Sequence, residues 1–171
     1  MEFNVNMAMY SLDMAHVEIA RYIAVARKNM MLSFPGIRKI CQEHFLPDCS
    51  VIIWQLENNR GNPVMDNFWA ACAICRVSMT VVDLDATPKE VIVVPPVLTA
   101  NYEIVRRQIG AVFASRRNSM QLNYQAVAQL CKTISRNTVA GVENGTRLTL
   151  RTFLALCKAY QLNIYLKQEL L

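Results

Sequence analysis

The chain has 171 residues, of which 53% are apolar and only 18% charged, with a net charge of +5. Five Gly and six Pro exclude a linker-rich or collagen-like protein. The longest uninterrupted apolar run, Phe68 to Cys75, has eight residues, far short of the about 20 that a membrane-spanning helix needs, so no membrane association is expected.

The first 11 residues read as an arm or a frayed end. They carry no basic segment leading into an apolar core, so no export signal is expected. The six cysteines then read as free thiols of a reducing cytoplasm. From Ile19 onward the chain repeats itself. Ile19, Ala20 and Ile23 fall on Ile109, Gly110 and Phe113 at an offset of 90, and so do Arg27, Leu32, Ile37 and Cys41 on Arg117, Leu122, Val127 and Cys131. Glu57 falls on Glu143 at an offset of 86. Phe68, Ala70, Cys72, Val77 and Met79 fall on Phe153, Ala155, Cys157, Leu162 and Ile164 at an offset of 85. Two copies of one unit of roughly 65 residues therefore account for most of the chain.

Between the copies, Met79 to Asp85 and Val91 to Val94 are β-rich and flank Ala86-Thr87-Pro88-Lys89-Glu90, the pattern of a hairpin or of edge strands. Pro95-Pro96 breaks that run. In the second copy, apolar residues at 102, 105, 109, 112 and 113 predict a helix from Tyr102 to Arg117 with a basic back. A short helix is expected from Gln125 to Lys132, then a turn at Thr133 and Ile134. Ser135 is an N-cap, since its hydroxyl can accept from an orphan N–H. The next helix is Arg136 to Glu143, with Val139 and Val142 facing in and Asn144-Gly145 stopping it. Leu150 to Tyr160 predicts one more apolar helix, and Asn163 to Lys167 matches Ser78 to Val82 as an extended tail.

The charge is split between the halves. Residues 1–90 sum to −2 and residues 91–171 to +7, so only the second half attracts a polyanion through bulk charge.

The run Arg117…Leu122-Asn123-Tyr124-Gln125-Ala126-Val127-Ala128…Ile134-Ser135-Arg136-Asn137-Thr138-Val139…Val142-Glu143-Asn144-Gly145 resembles the XRE/Cro-type helix-turn-helix family of bacterial and phage regulators. The resemblance covers about Ile104 to Leu166. One departure is visible: the turn Lys132-Thr133-Ile134 is a residue longer than usual and lacks the usual glycine. The implied fold is mostly α, a tandem repeat of two lambda-repressor-like helix-turn-helix bundles with a small β element between them. The implied division is a degenerate unit over 1–85, a β or linker segment over 86–100, and a DNA-binding unit over 101–171.

The implied function is sequence-specific binding of double-stranded DNA by a cytoplasmic transcriptional regulator, as a homodimer on a pseudo-palindromic site. A helix fits the major groove and reads bases near its N-terminus, which here means Ser135, Arg136, Asn137 and Thr138, with Gly141 one turn on. Asn123, Tyr124 and Gln125 open the preceding helix, where N–H groups hold a phosphate, and Asn144 and Arg147 follow the reading helix. The resemblance makes Arg117 and Glu143 an internal ion pair, with Arg27 and Glu57 at the matching places.

The first copy keeps that scaffold but presents Cys49-Ser50-Val51-Ile52 and Trp54 where the second presents its polar turn. Val51, Ile52 and Trp54 are poor base readers and suggest a dimerisation or partner-binding surface. The alternative function is accordingly an interaction module, or an antitoxin-like regulator that binds a protein partner through this copy. Cys41, His44, Cys72 and Cys75 have the composition of a zinc site. Cys41 and Cys72 nevertheless recur as Cys131 and Cys157 in a copy without such a set, which is the behaviour of core cysteines. No metal, cofactor or catalytic residue is expected: the only histidines are His16 and His44, and no phosphate loop or nucleophile motif stands out.

Overall fold

A computed structural model describes residues 2–85, 90–98 and 101–169. Among these the chain forms β1 (Glu2–Asn6), α1 (Leu12–Asn29), α2 (Phe34–Glu43), α3 (Cys49–Glu57), α4 (Met65–Ile74), β2 (Val77–Asp83), β3 (Glu90–Val94), α5 (Tyr102–Ser119), α6 (Tyr124–Cys131), α7 (Arg136–Glu143), α8 (Leu150–Ala159) and β4 (Asn163–Gln168). The protein is thus mostly helical with a small antiparallel sheet. Of the segment Ala86 to Glu90 named above, residues 86–89 lie outside the described residues.

Local sequence sets the helix starts. Ser11, Ser33, Asp48, Asn101, Asn123, Ser135 and Thr149 each accept an N–H of the first turn with their side chain. Only α4 among the described helices starts without a side-chain cap, at Val64. Its first donor is satisfied from the other half of the chain. Met65 N–H donates to Leu148 O at 2.8 Å, and Leu150 N–H donates back to Pro63 O at 2.8 Å, around a bridge of Val64 with Thr149.

The sheet order is β1-β4-β2-β3, antiparallel throughout. β1 is therefore no frayed arm. It is an edge strand, and its partner β4 lies at the far end of the sequence. Phe3 and Val5 alternate towards the helices, with Val5 opposite Ile164 and Phe3 opposite Leu166. The sheet takes strands from both sides of the expected boundary at 85, so the halves share one hydrophobic core. Phe113 packs on Phe153 and Tyr160 at centroid distances of 6.1 and 5.3 Å, and Trp69 of α4 meets Tyr102 of α5 at 5.6 Å. Arg106 of α5 reaches Asp66 of α4, an ion pair that ties the halves together and is largely shielded from water.

His16 of α1 lies buried in this core, its Nε2 without a hydrogen-bond partner. Burial first, and the nearby Arg151 charge second, hold its pKa below 6.5. The unfolded chain binds the proton more readily, so stability is full above about pH 6.5 and falls as the pH drops from there towards the lowered folded-state value. The expected result is that His16→Gln reduces the loss of stability between about pH 7.5 and about pH 5.5, read from urea midpoints. An unchanged pH dependence would show that His16 takes up its proton equally in the folded and the unfolded chain.

Candidate nucleic-acid interface

The helix-turn-helix is built by α6 and α7 braced on α5. α7 turns Val139 and Val142 into the core. Its first turn then points outward: Ser135, Arg136 and Asn137 are exposed. Ser135 Oγ accepts from Thr138 N–H at 3.1 Å and contacts the Thr138 hydroxyl at 3.0 Å, so both hydroxyls hold the turn in shape. Arg136 has no ion-pair partner among the described residues, which leaves its planar fork free. Gly141, half-buried one turn after Asn137, lies against the loop that follows α7: a Cβ there would meet Thr146 Oγ1 at 3.0 Å.

Asn123 caps α6 through a bond from Ala126 N–H at 2.8 Å, and Tyr124 and Gln125 are exposed beside it. Asn144 is exposed with its amide donating to Ala140 O at 2.9 Å. Arg147 is 76% exposed on its side chain and lies 3.5 Å from Asp66. The turn between the helices bends at Lys132, which takes the left-handed conformation at φ 61° that a glycine usually supplies. Lys132 adds an exposed cation that the motif reading did not single out; the missing turn glycine was the signal for it. Arg106 is a second omission. It donates to Gly145 O at 3.1 Å and so fixes the loop that carries Asn144 and Arg147. No repeat pattern pointed to it, because the matching residue of the first half is His16.

Arg117 is spent inside the fold. Its Nε and Nη2 donate to the Glu143 carboxylate at 2.8 and 3.0 Å, its Nη1 donates to Leu122 O at 3.0 Å, and its guanidinium lies 4.4 Å over the Tyr124 ring. The Glu143 hydrogen bond holds the guanidinium proton more firmly than usual. Tyr160 adds its hydroxyl to Glu143 at 3.1 Å, and burial together with that carboxylate raises its pKa. This clamp joins the end of α7 to α5 and to the segment entering α6. It also neutralises the one acidic residue between Ile104 and Asn144, so the outward face of α6 and α7 carries Lys132, Arg136 and Arg147 with no free carboxylate of its own.

The matching place in the first half has the same clamp and a different face. Arg27 donates to Glu57 at 2.5 and 3.0 Å and to Leu32 O at 2.7 Å, and lies 4.6 Å over the Phe34 ring. Where α7 begins with Ser135, α3 begins with Asp48. Bonds from Ser50 first, and Arg38 Nε at 3.1 Å after them, hold this carboxyl below its usual range, so a negative charge caps α3. Val51 and Trp54 are outward, 45% and 42% exposed, but Ile52 is 9% exposed and packs in the core with Ile53 and Leu56. The expectation that Ile52 belongs to a partner surface is therefore corrected: on a helix of 3.6 residues per turn it faces opposite to Val51 and Trp54. Phe45, 98% exposed in the preceding turn, takes its place beside them.

All six cysteines are buried and unpaired as disulfides. Burial pushes Cys75 up to about 12 and Cys131 up to about 11, and holds Cys72 and Cys157 well above the ordinary thiol range. Thiols held protonated in this way are poor nucleophiles near neutral pH. Among the described residues no group of three or more His, Cys, Asp or Glu side chains is placed to hold a metal ion, and no helix is long and apolar enough to cross a membrane.

The helix-turn-helix family model matches residues 113–166, from the middle of α5 through β4. No curated protein and no solved structure matches the chain. The matched segment contains the α6-turn-α7 unit, its Arg117–Glu143 clamp and the capped, outward first turn of α7. Residues 113–166 of this chain are thus similar to the helix-turn-helix family.

Proposed function

We propose that the protein is a sequence-specific DNA-binding transcriptional regulator acting in the cytoplasm, with α7 lying in the major groove of double-stranded DNA. The observation that carries this reading is the first turn of α7. Arg136 and Asn137 project free from a turn that Ser135 and Thr138 lock in place, on a face whose charge is positive. Arg pairs bidentately with guanine and Asn with adenine. The exposed N-terminus of α6 at Asn123, Tyr124 and Gln125, together with Asn144, Arg147 and Lys132, supplies phosphate contacts on either side. The first half is a second unit of the same plan that has given up base reading, as the negative cap of α3 and its outward Val51 and Trp54 support. The same outward apolar residues, with Phe45, favour one further use: a protein partner held by the first half.

Selection of bound duplexes from a random pool tests the reading. A defined base pattern should emerge, and binding should weaken steeply with salt. Arg147→Ala should then weaken all duplexes alike and lower the magnitude of the salt slope by about one unit. Failure to enrich any pattern would overturn the proposal. Capture of a protein by the wild type but not by Trp54→Ala would establish the partner surface.

A further inference from the structure

The backbone bonds between the two halves obey a rule of exchange. Adding 85 to Pro63, Val64 and Met65 gives Leu148, Thr149 and Leu150. The bond Met65 N–H to Leu148 O and the bond Leu150 N–H to Pro63 O are thereby turned into each other, and Val64 faces its own counterpart Thr149. The sheet does the same independently. Thr80 stands directly opposite Tyr165, again 85 residues on, and the pair Ser78–Lys167 exchanges with the pair Val82–Asn163. The outer strands follow, with β1 on β4 at Asn4–Tyr165 and β3 on β2 at Val93–Thr80. Contacts in which residue i meets j while the counterpart of j meets the counterpart of i are the signature of a twofold axis. Away from the axis, α1 and α5 agree in burial residue for residue from Ile19 to Leu32 and from Ile109 to Leu122.

We infer that this single chain is its own dimer: an approximate twofold axis passes between α4 and α8 and between β2 and β4, so one chain fills the place of two on DNA and reads bases on one side only. The inference rests on the DNA-binding reading above. The twofold that a homodimer of such units would form between chains is formed here inside one chain. Its inner strand edges are already used, β4 lying between β1 and β2 and β2 between β4 and β3. The axis makes α3 the counterpart of α7, and the two differ in every property that matters for reading. Asp48 replaces Ser135 at the cap, Arg38 is engaged by Asp48, and the outward residues Val51 and Trp54 lack the bidentate fork of Arg136. Base information is then confined to one half-site, and the operator is not palindromic.

The test uses the full chain. Sedimentation equilibrium at micromolar concentration should give the mass of one chain alone, and of one chain per duplex when the selected site is added. The selected pattern should be a single block without an inverted repeat. Arg136→Ala should lower affinity for it about tenfold or more, whereas Val51→Ser and Trp54→Ala should leave affinity within about twofold. Two chains on an inverted repeat, or a stable dimer in free solution, would overturn this inference while leaving the DNA-binding reading intact. A loss of base preference in Trp54→Ala would overturn the one-sidedness. Enrichment of no duplex at all would remove the DNA-binding reading and this inference with it.

Discussion

Gly110→Ala is expected to destabilise the protein by roughly 2–3 kcal/mol and to displace α7. A Cβ on Gly110 would lie 2.6 Å from Glu143 O and 2.7 Å from Val142 O. Both are backbone atoms at the end of α7, so no rotamer change relieves the overlap. In an exposed helix the same change gains about 1 kcal/mol from helix propensity. Here that gain is outweighed, because α5 and α7 must separate and carry the Arg117–Glu143 clamp with them. The first half supplies the internal comparison. Its residue at this place is Ala20, which is buried in α1 where α1 meets α3, so that pair of helices accommodates the carbon that the α5–α7 pair excludes. A melting temperature lowered by roughly 5–10 °C is the expected reading, with weaker binding to every duplex because α7 no longer sits at its set angle. A variant as stable as the wild type would mean that α5 and α7 are not in tight contact.

The second half was legible in the sequence because its signals are local. The 3.6-residue spacing from Tyr102 gave α5, Ser135 and Gly145 bracketed α7, and the recurrence of Arg117 and Glu143 beside Arg27 and Glu57 marked the clamp positions. What the sequence hid depends on distant parts of the chain. Glu2–Asn6 is five residues long, and nothing in them says that their partner strand lies more than 150 residues away. In α3 the apolar residues run all round the helix, so periodicity does not separate inward Ile52 from outward Val51 and Trp54; only packing against α1 and α4 does. The Arg106–Asp66 pair escaped because neither residue recurs as the same type in the other half, where His16 and Arg151 stand instead. The exchange of bonds around Val64 and Thr149 was invisible for a similar reason. Offsets in a sequence show that two segments are alike, not how they face each other.

Arg136→Ala is expected to remove base discrimination at a single operator position at a cost of roughly 1–3 kcal/mol while leaving the fold unchanged. The side chain is exposed and without an ion pair among the described residues, and the turn beneath it is held by Ser135 and Thr138, neither of which the substitution touches. Stability should therefore stay within about 0.5 kcal/mol of the wild type. The loss should be concentrated at one guanine, since a guanidinium in the groove would engage O6 and N7 together and no neighbouring residue offers the same fork. Arg136→Lys separates charge from geometry. Lysine keeps the positive charge but not the planar pair of donors, so it should restore the salt dependence and general affinity while recovering little of the discrimination. Binding measured against duplexes altered one base pair at a time distinguishes the cases. If Arg136→Ala and Arg136→Lys both weaken every duplex equally, Arg136 touches only phosphate and the base contacts must come from another residue of α7. If neither variant changes binding to any duplex, α7 does not enter the groove, and the free, capped first turn on which the functional reading stands has some other use.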